Sequence, residues 1–179
     1  MISTIRTIFA IGMALFCAGL LPAHAASRSP ASLPNVDSSH YQGTWLEIAR
    51  RPMWITDGCV AGYTTYRPTR YAREIMVEDG CREGTPSGKL KTITGSGELV
   101  DANTTKARLK VRYPLFIIFD YWVLYQSPDR SWFISADPQM KNLWIYARTV
   151  PSPAKRAIMV KMAKSLGYDV GLLEFPAHR

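Results

Sequence analysis

The sequence predicts an all-β chain, an eight-stranded antiparallel up-and-down β-barrel followed by one C-terminal α-helix. Three observations lead there. Short segments rich in aromatic and β-branched residues recur eight times, separated by Pro, Gly, Asp and Asn clusters. The connections are short, as at residues 68–69, 101–104, 128–129 and 137–138, which makes successive strands antiparallel neighbours. A helical period then appears after the last of these segments. Eight strands without long crossovers are well served by closure, because a closed sheet has no unpaired edge and at this strand number encloses room for one small ligand.

The elements follow in order. The chain opens with Arg6, an apolar run over residues 8–21, Pro22 and the small-residue site Ala23, His24, Ala25. That order predicts a secretory signal peptide over residues 1–25, cut after Ala25, since the run is shorter than the roughly 20 residues a membrane-crossing helix needs. Cys17 raises a lipoprotein alternative, against which the bulky Phe16 stands where a small side chain is wanted. Residues 26–39, rich in Ser, Pro and Ala, read as a flexible leader, and residues 40–179 as the barrel domain. Strands are expected over residues 44–50, 59–67, 74–81, 90–100, 106–113, 120–125, 132–136 and 143–149. The cleanest alternation sets Ala107, Leu109, Val111 and Tyr113 on a core face against Arg108, Lys110 and Arg112 on the other. That basic strip suits either anionic headgroups or a solvated outer wall.

Ser152 is the expected N-cap of the helix and Pro153 its first residue, with Ile158, Met159, Met162, Ala163 and Leu166 on its apolar face and Gly167 at its end. Residues 172–175 could add a last short strand. In an exported chain Cys59 and Cys81 suggest one disulfide. A hairpin centred on Arg70 would set the two directly opposite each other.

Length, 179 residues with 47% hydrophobic and 20% charged side chains, fits one globular domain. The formal net charge of +8 permits anionic partners without choosing among them. Nucleic acid is disfavoured by export and by the lack of a recognition motif. No catalytic constellation is visible. His40 and His178 sit near the ends of the mature chain, and Glu78 and Asp79, as strand neighbours, point to opposite faces. The reading is therefore non-enzymatic, with no cofactor and no metal.

Residues 41–50 (YQGTWLEIAR) resemble the first motif of the lipocalins, with Gly43 and Trp45 as its fixed points. Residues 143–150 (LWIYARTV) resemble the segment carrying the third-motif arginine, here Arg148, and residues 120–125 (DYWVLY) the strand leading into the second motif. The turn at residues 126–129 departs from the usual Thr, Asp, Tyr. Within the family the likeness points to bacterial outer-membrane, Blc-like lipocalins and their apolipoprotein D relatives.

The resemblance implies a carrier of fatty acids or lysophospholipids in a bacterial envelope, periplasmic after cleavage, or outer-membrane-anchored if Cys17 is lipidated. It also implies Gly43, Trp45 and Arg148 as the structural base of the barrel. With Arg148 pointing to that base, the two-residue period makes Trp144 and Tyr146 cavity candidates, together with Tyr113, Tyr121 and Val123. Trp54 and Ile55 lie where the family has a long loop across the open end, as a lid that meets a membrane surface or as residues folded inward. A pigment or haem carrier and a lipocalin-fold enzyme are the rival functions, and a homodimer remains open.

Overall fold

In the computed structural model, which describes residues 32–178, eight strands close into a barrel in sequence order. They are β1 (Gly43–Arg50), β2 (Cys59–Pro68), β3 (Glu74–Glu83), β4 (Leu90–Leu99), β5 (Arg108–Arg112), β6 (Ile118–Gln126), β7 (Trp132–Ala136) and β8 (Leu143–Ala147). Each pairs antiparallel with its predecessor, and β1 returns to β8 through Leu46↔Ala147 and Arg50↔Trp144. The helix α1 (Pro153–Ser165) follows. The expected signal peptide and residues 26–31 of the leader lie outside the described residues. Leu33 already packs against the apolar clusters, and Val36 is buried and donates its N–H to the Thr105 carbonyl.

Period two divides the apolar residues into two clusters. One fills the barrel and includes Trp45, Tyr66, Val77, Leu109 and Val111. The other lies outside, where Ile48, Leu124, Ile134 and Ile145 meet Met159 and Ala163 of α1. Strands β7 and β8 are thus buried on both faces, and apart from Ser135 they are apolar throughout. Ser152 caps α1 by accepting from the Lys155 N–H, and Gly167 ends it at φ +89°. The expected apolar face needs one correction. Ile158 is exposed, because Met159 and Ala163, one turn apart, set the line of contact and put Ile158 to its side. The basic strip of β5 faces outward, with Arg108 over Trp122, Lys110 paired with Asp120 and Arg112 with Glu98.

The β2–β3 hairpin turns later than expected. Pro68 pairs with Ile75, so its centre falls between Tyr71 and Ala72 rather than at Arg70, and Cys59 lies opposite Glu83 rather than Cys81. The disulfide Cys59–Cys81 forms all the same, with Cα atoms 5.5 Å apart. The reason is a bulge between Val60 and Tyr63, with Ala61 at φ +48°, which turns Cys59 onto the interior face that Cys81 already occupies. The bulge frees the Ala61 N–H, and the C-terminal tail satisfies it through the Ala177 carbonyl. The expected last strand contracts to a single bridge between Glu174 and Arg50, since residues 170–172 form a 3₁₀ turn.

The disulfide closes a separation of 22 residues. Replacing both cysteines by serine is expected to lower the unfolding free energy by about 3 kcal/mol in the chain-entropy account. Urea unfolding followed by tryptophan fluorescence measures it.

Candidate functional site

The two ends of the barrel differ. At one end the 3₁₀ turn Ser38–Tyr41 crosses beneath the strands, and buried His40 packs among Tyr41, Trp45, Tyr66 and Phe133. The bulge at Val123/Tyr125 turns Gln126 inward to donate to His40 Nδ1, 3.1 Å away. Burial holds the His40 pKa down to about 3, so the ring is neutral and packs edge-on or tilted against its aromatic neighbours. Arg148 lies over Trp45, its guanidinium carbon 3.4 Å from the ring centroid, and donates to the Thr44 carbonyl at 2.9 Å. Gly43 has φ +69°, and a Cβ there would sit 3.6 Å from Arg148 Nη1. This end is sealed.

The other end opens between the loops 51–58, 84–89, 113–117 and 137–142, and a cavity of about 210 Å³ runs inward from it. Its walls are aromatic. Tyr121 and Trp144 have ring centroids 5.0 Å apart, Phe119 stands perpendicular to Trp144 at 6.5 Å, and Tyr113 and Tyr146 complete the lining. Ile93 of β4 and the Cys59–Cys81 disulfide form the opposite wall, and Met53 and Ile55 border the mouth.

Charged groups stand in the same cavity. Glu47 follows Trp45 onto the interior face by period two, and a second bulge, between Glu47 and Ala49 in the pairing with β8, brings Arg50 onto that face as well. Residues three apart on a regular strand would point to opposite sides. Here Arg50 Nη1 lies 2.5 Å from Glu47 Oε1, and its remaining donors reach Glu174 and the carbonyls of Thr56 and Cys59. Gly62 leaves the room for this, since a Cβ there would sit 2.6 Å from Glu47 Oε1. Burial raises the Glu47 pKa, partly offset by Arg50.

Asp79 has no basic partner among the ion pairs of the described residues. It faces the cavity, accepts from the Tyr113 hydroxyl, and has its pKa raised by desolvation. Tyr121 lies 3.3 Å from the Tyr113 oxygen. Glu78 points outward to Arg67 and Tyr63. At the mouth, Lys91 pairs with Glu83 at 2.6 Å, which holds the Glu83 carboxyl below its ordinary range.

Four of the sequence-derived cavity residues, Tyr113, Tyr121, Trp144 and Tyr146, line this space, whereas Val123 packs in the core beneath it. The two lid residues separate. Trp54 is 85% exposed, and Ile55 borders the cavity. Glu47, Arg50, Ile93 and Phe119 went unremarked in the sequence. For Glu47 the signal was present, as the interior neighbour of Trp45; for Arg50 it was not, because a bulge leaves no mark in hydrophobic alternation.

Two outcomes follow for the charged wall. Arg50→Met leaves Glu47 buried and uncompensated and is expected to cost about 3–5 kcal/mol, most of it recovered in Arg50→Met/Glu47→Leu; chemical unfolding of the three variants tests this. For Asp79, the unfolded chain releases its proton first as pH rises, because the native pKa lies higher. Stability therefore falls from the ordinary carboxylate range up through the raised native value and stays lower above it. Asp79→Asn should be more stable than the wild type at neutral pH, with the advantage shrinking in acid, as read by thermal unfolding across pH.

Residues 36–178 match the family model described as a lipocalin-like domain. Temperature-induced lipocalin-1 of Arabidopsis thaliana is 31% identical over 150 residues, 74% of each chain. A putative lipocalin of Acanthamoeba polyphaga mimivirus is 26% identical over 167 residues, 83% of this chain and 88% of that one. Among solved structures, insecticyanin from the tobacco hornworm Manduca sexta superposes with a TM-score of 0.63 at 18% identity, covering 81% of this chain and 82% of the other. Lobster apocrustacyanin A1 superposes with a TM-score of 0.60 at 11% identity over 79% of each chain.

Proposed function

The chain belongs to the lipocalin family, and from that premise we propose that it carries a single-chain amphipathic lipid, a fatty acid or lysophospholipid, held tail-first in the barrel. The family binds small hydrophobic ligands, and the observation that narrows the class is the cavity, small and walled by aromatic rings. At about 210 Å³ it falls below the roughly 300–1,000 Å³ of pockets that bury a drug-sized ligand. One flexible hydrocarbon chain suits that space better than a broad tetrapyrrole. Each buried methylene contributes about 0.8 kcal/mol, before the cost of ordering the chain.

The charges support the orientation. Glu47 and Asp79 stand on the cavity wall, so an anionic headgroup driven inward would meet two carboxyls, one of them without a counter-ion. At the mouth Lys91 lines the cavity, and a headgroup resting there would share its ammonium with Glu83. An exported setting is supported by the disulfide, and the envelope of a bacterium is the compartment we propose within it. The role proposed is transport without catalysis.

Native mass spectrometry of gently purified mature protein should find an acyl lipid bound; a tetrapyrrole or carotenoid would overturn the reading. Ile93→Trp fills the cavity from the wall opposite the rings. It should weaken fatty-acid binding by about tenfold or more, the equivalent of losing a few buried methylenes, without lowering the thermal midpoint. Undiminished binding by this variant, titrated through tryptophan fluorescence, would place the cargo elsewhere.

A further inference from the structure

The loop joining β5 to β6 turns on Leu115 and Phe116, both at φ +60° and 86% and 99% exposed. Ile117 donates back to the Pro114 carbonyl across this turn, and Tyr113 donates to the Ile117 carbonyl. Two successive left-handed residues are the signature of a turn that favours Asn-Gly, where a side chain costs little. Leucine and phenylalanine there carry backbone strain and present their whole apolar surface to water, so neither folding nor solubility accounts for them.

The neighbouring tip repeats the pattern. Trp54 is 85% exposed on the loop after β1, and Ile118 is 56% exposed at the start of β6. The two loops border one opening, since Ile55 from the first and Ile117 from the second line the same cavity. The charge around this rim is positive. Beside the buried Arg50, the four loops and adjoining strand ends carry Arg51, Arg82, Lys89, Lys91, Arg112 and Lys141 against Asp57, Glu83 and Asp137.

We propose that the open end docks on an anionic phospholipid surface, with Leu115, Phe116 and Trp54 inserted as an apolar wedge and the rim cations resting among the headgroups. Apolar tips sinking below the headgroup level with basic residues behind them are how a folded protein holds to a bilayer without spanning it. Among the described residues no helix is long and apolar enough to cross a membrane, so contact of this kind is made by loops. The orientation sets the cavity mouth against the bilayer, which aligns a chain leaving the membrane with the space between Tyr121, Trp144 and Ile93. The docking rests on the tips and the rim charge and stands whatever the cavity carries.

The test uses the mature protein and Leu115→Asn/Phe116→Gly, which installs the dipeptide the turn favours and so preserves or improves folding. Cosedimentation with phosphatidylcholine vesicles, with and without phosphatidylglycerol, should show wild-type binding that rises with the anionic lipid. The variant should partition about tenfold or more less strongly, as expected for two apolar side chains withdrawn from a bilayer. Trp54→Ser should add a further loss. Equal partitioning of wild type and variant, or none by the wild type, overturns the proposal. So does a wild-type dimer in lipid-free sedimentation that the variant dissolves, for the tips would then cover a second copy. Fatty-acid binding without vesicles, measured on both proteins, reports the cavity alone and separates failure of docking from failure of the carrier reading.

Discussion

A buried guanidinium ties the open half of this barrel together. Arg50 is 2% exposed, and a charge so enclosed is tolerable only when its donors are met. Its donors reach Glu47 on the cavity wall, Glu174 on the C-terminal tail, and the carbonyls of Thr56 and Cys59 in the mouth loop. One side chain therefore fixes the depth of the cavity, the course of the loop beside Trp54 and the strap formed by the tail. The bulge in β1 makes this geometry available, because it turns Arg50 to the same side as Glu47 while the strand still closes on β8.

The same interior serves two purposes along its length. Below the level of Glu47 and Asp79, Trp45, Tyr66, Val77 and Leu109 fill the barrel as a core, and Arg148 and His40 seal its base. Above that level the strands hold apart, and the aromatic rings line space instead of filling it. A carboxyl without a cation, hydrogen-bonded only to neutral groups, sits at the boundary. Such a group weakens the fold, and groups of this sort persist where they shape what enters. Asp79 makes the depth of the cavity unwelcoming to a second negative charge.

Much of the fold was legible because closure imposes a strict rule on each strand. Residues two apart share a face, so Trp144 with Tyr146 and Leu109 with Val111 could be placed together, and Glu78 and Asp79 apart, from spacing alone. Where the rule is interrupted, spacing misleads. The bulges at Val60, Ile48 and Val123 each change which residues point inward, and Arg50, Cys59 and Gln126 owe their positions to them. The disulfide was placed from a register that the structure does not have, and it forms because the bulge moves Cys59 diagonally within reach of Cys81. Ile158 was assigned to the wrong side of its helix for a related reason, since which arc of an apolar stripe is buried depends on the surface it meets.

The strand count, the strand order, the helix with its Ser152 cap and Gly167 stop, and the likeness of residues 41–50 and 143–150 to lipocalin motifs were determined by the chain itself, because each depends on residues close in sequence. Three matters were settled only by the folded barrel. They are the pairing of Glu47 with Arg50, the isolation of Asp79, and the exposure of Leu115 and Phe116 at a turn whose backbone suits neither. Each depends on how strands distant in sequence slide and bulge against one another, and on what a neighbouring loop leaves uncovered, and no local period records either.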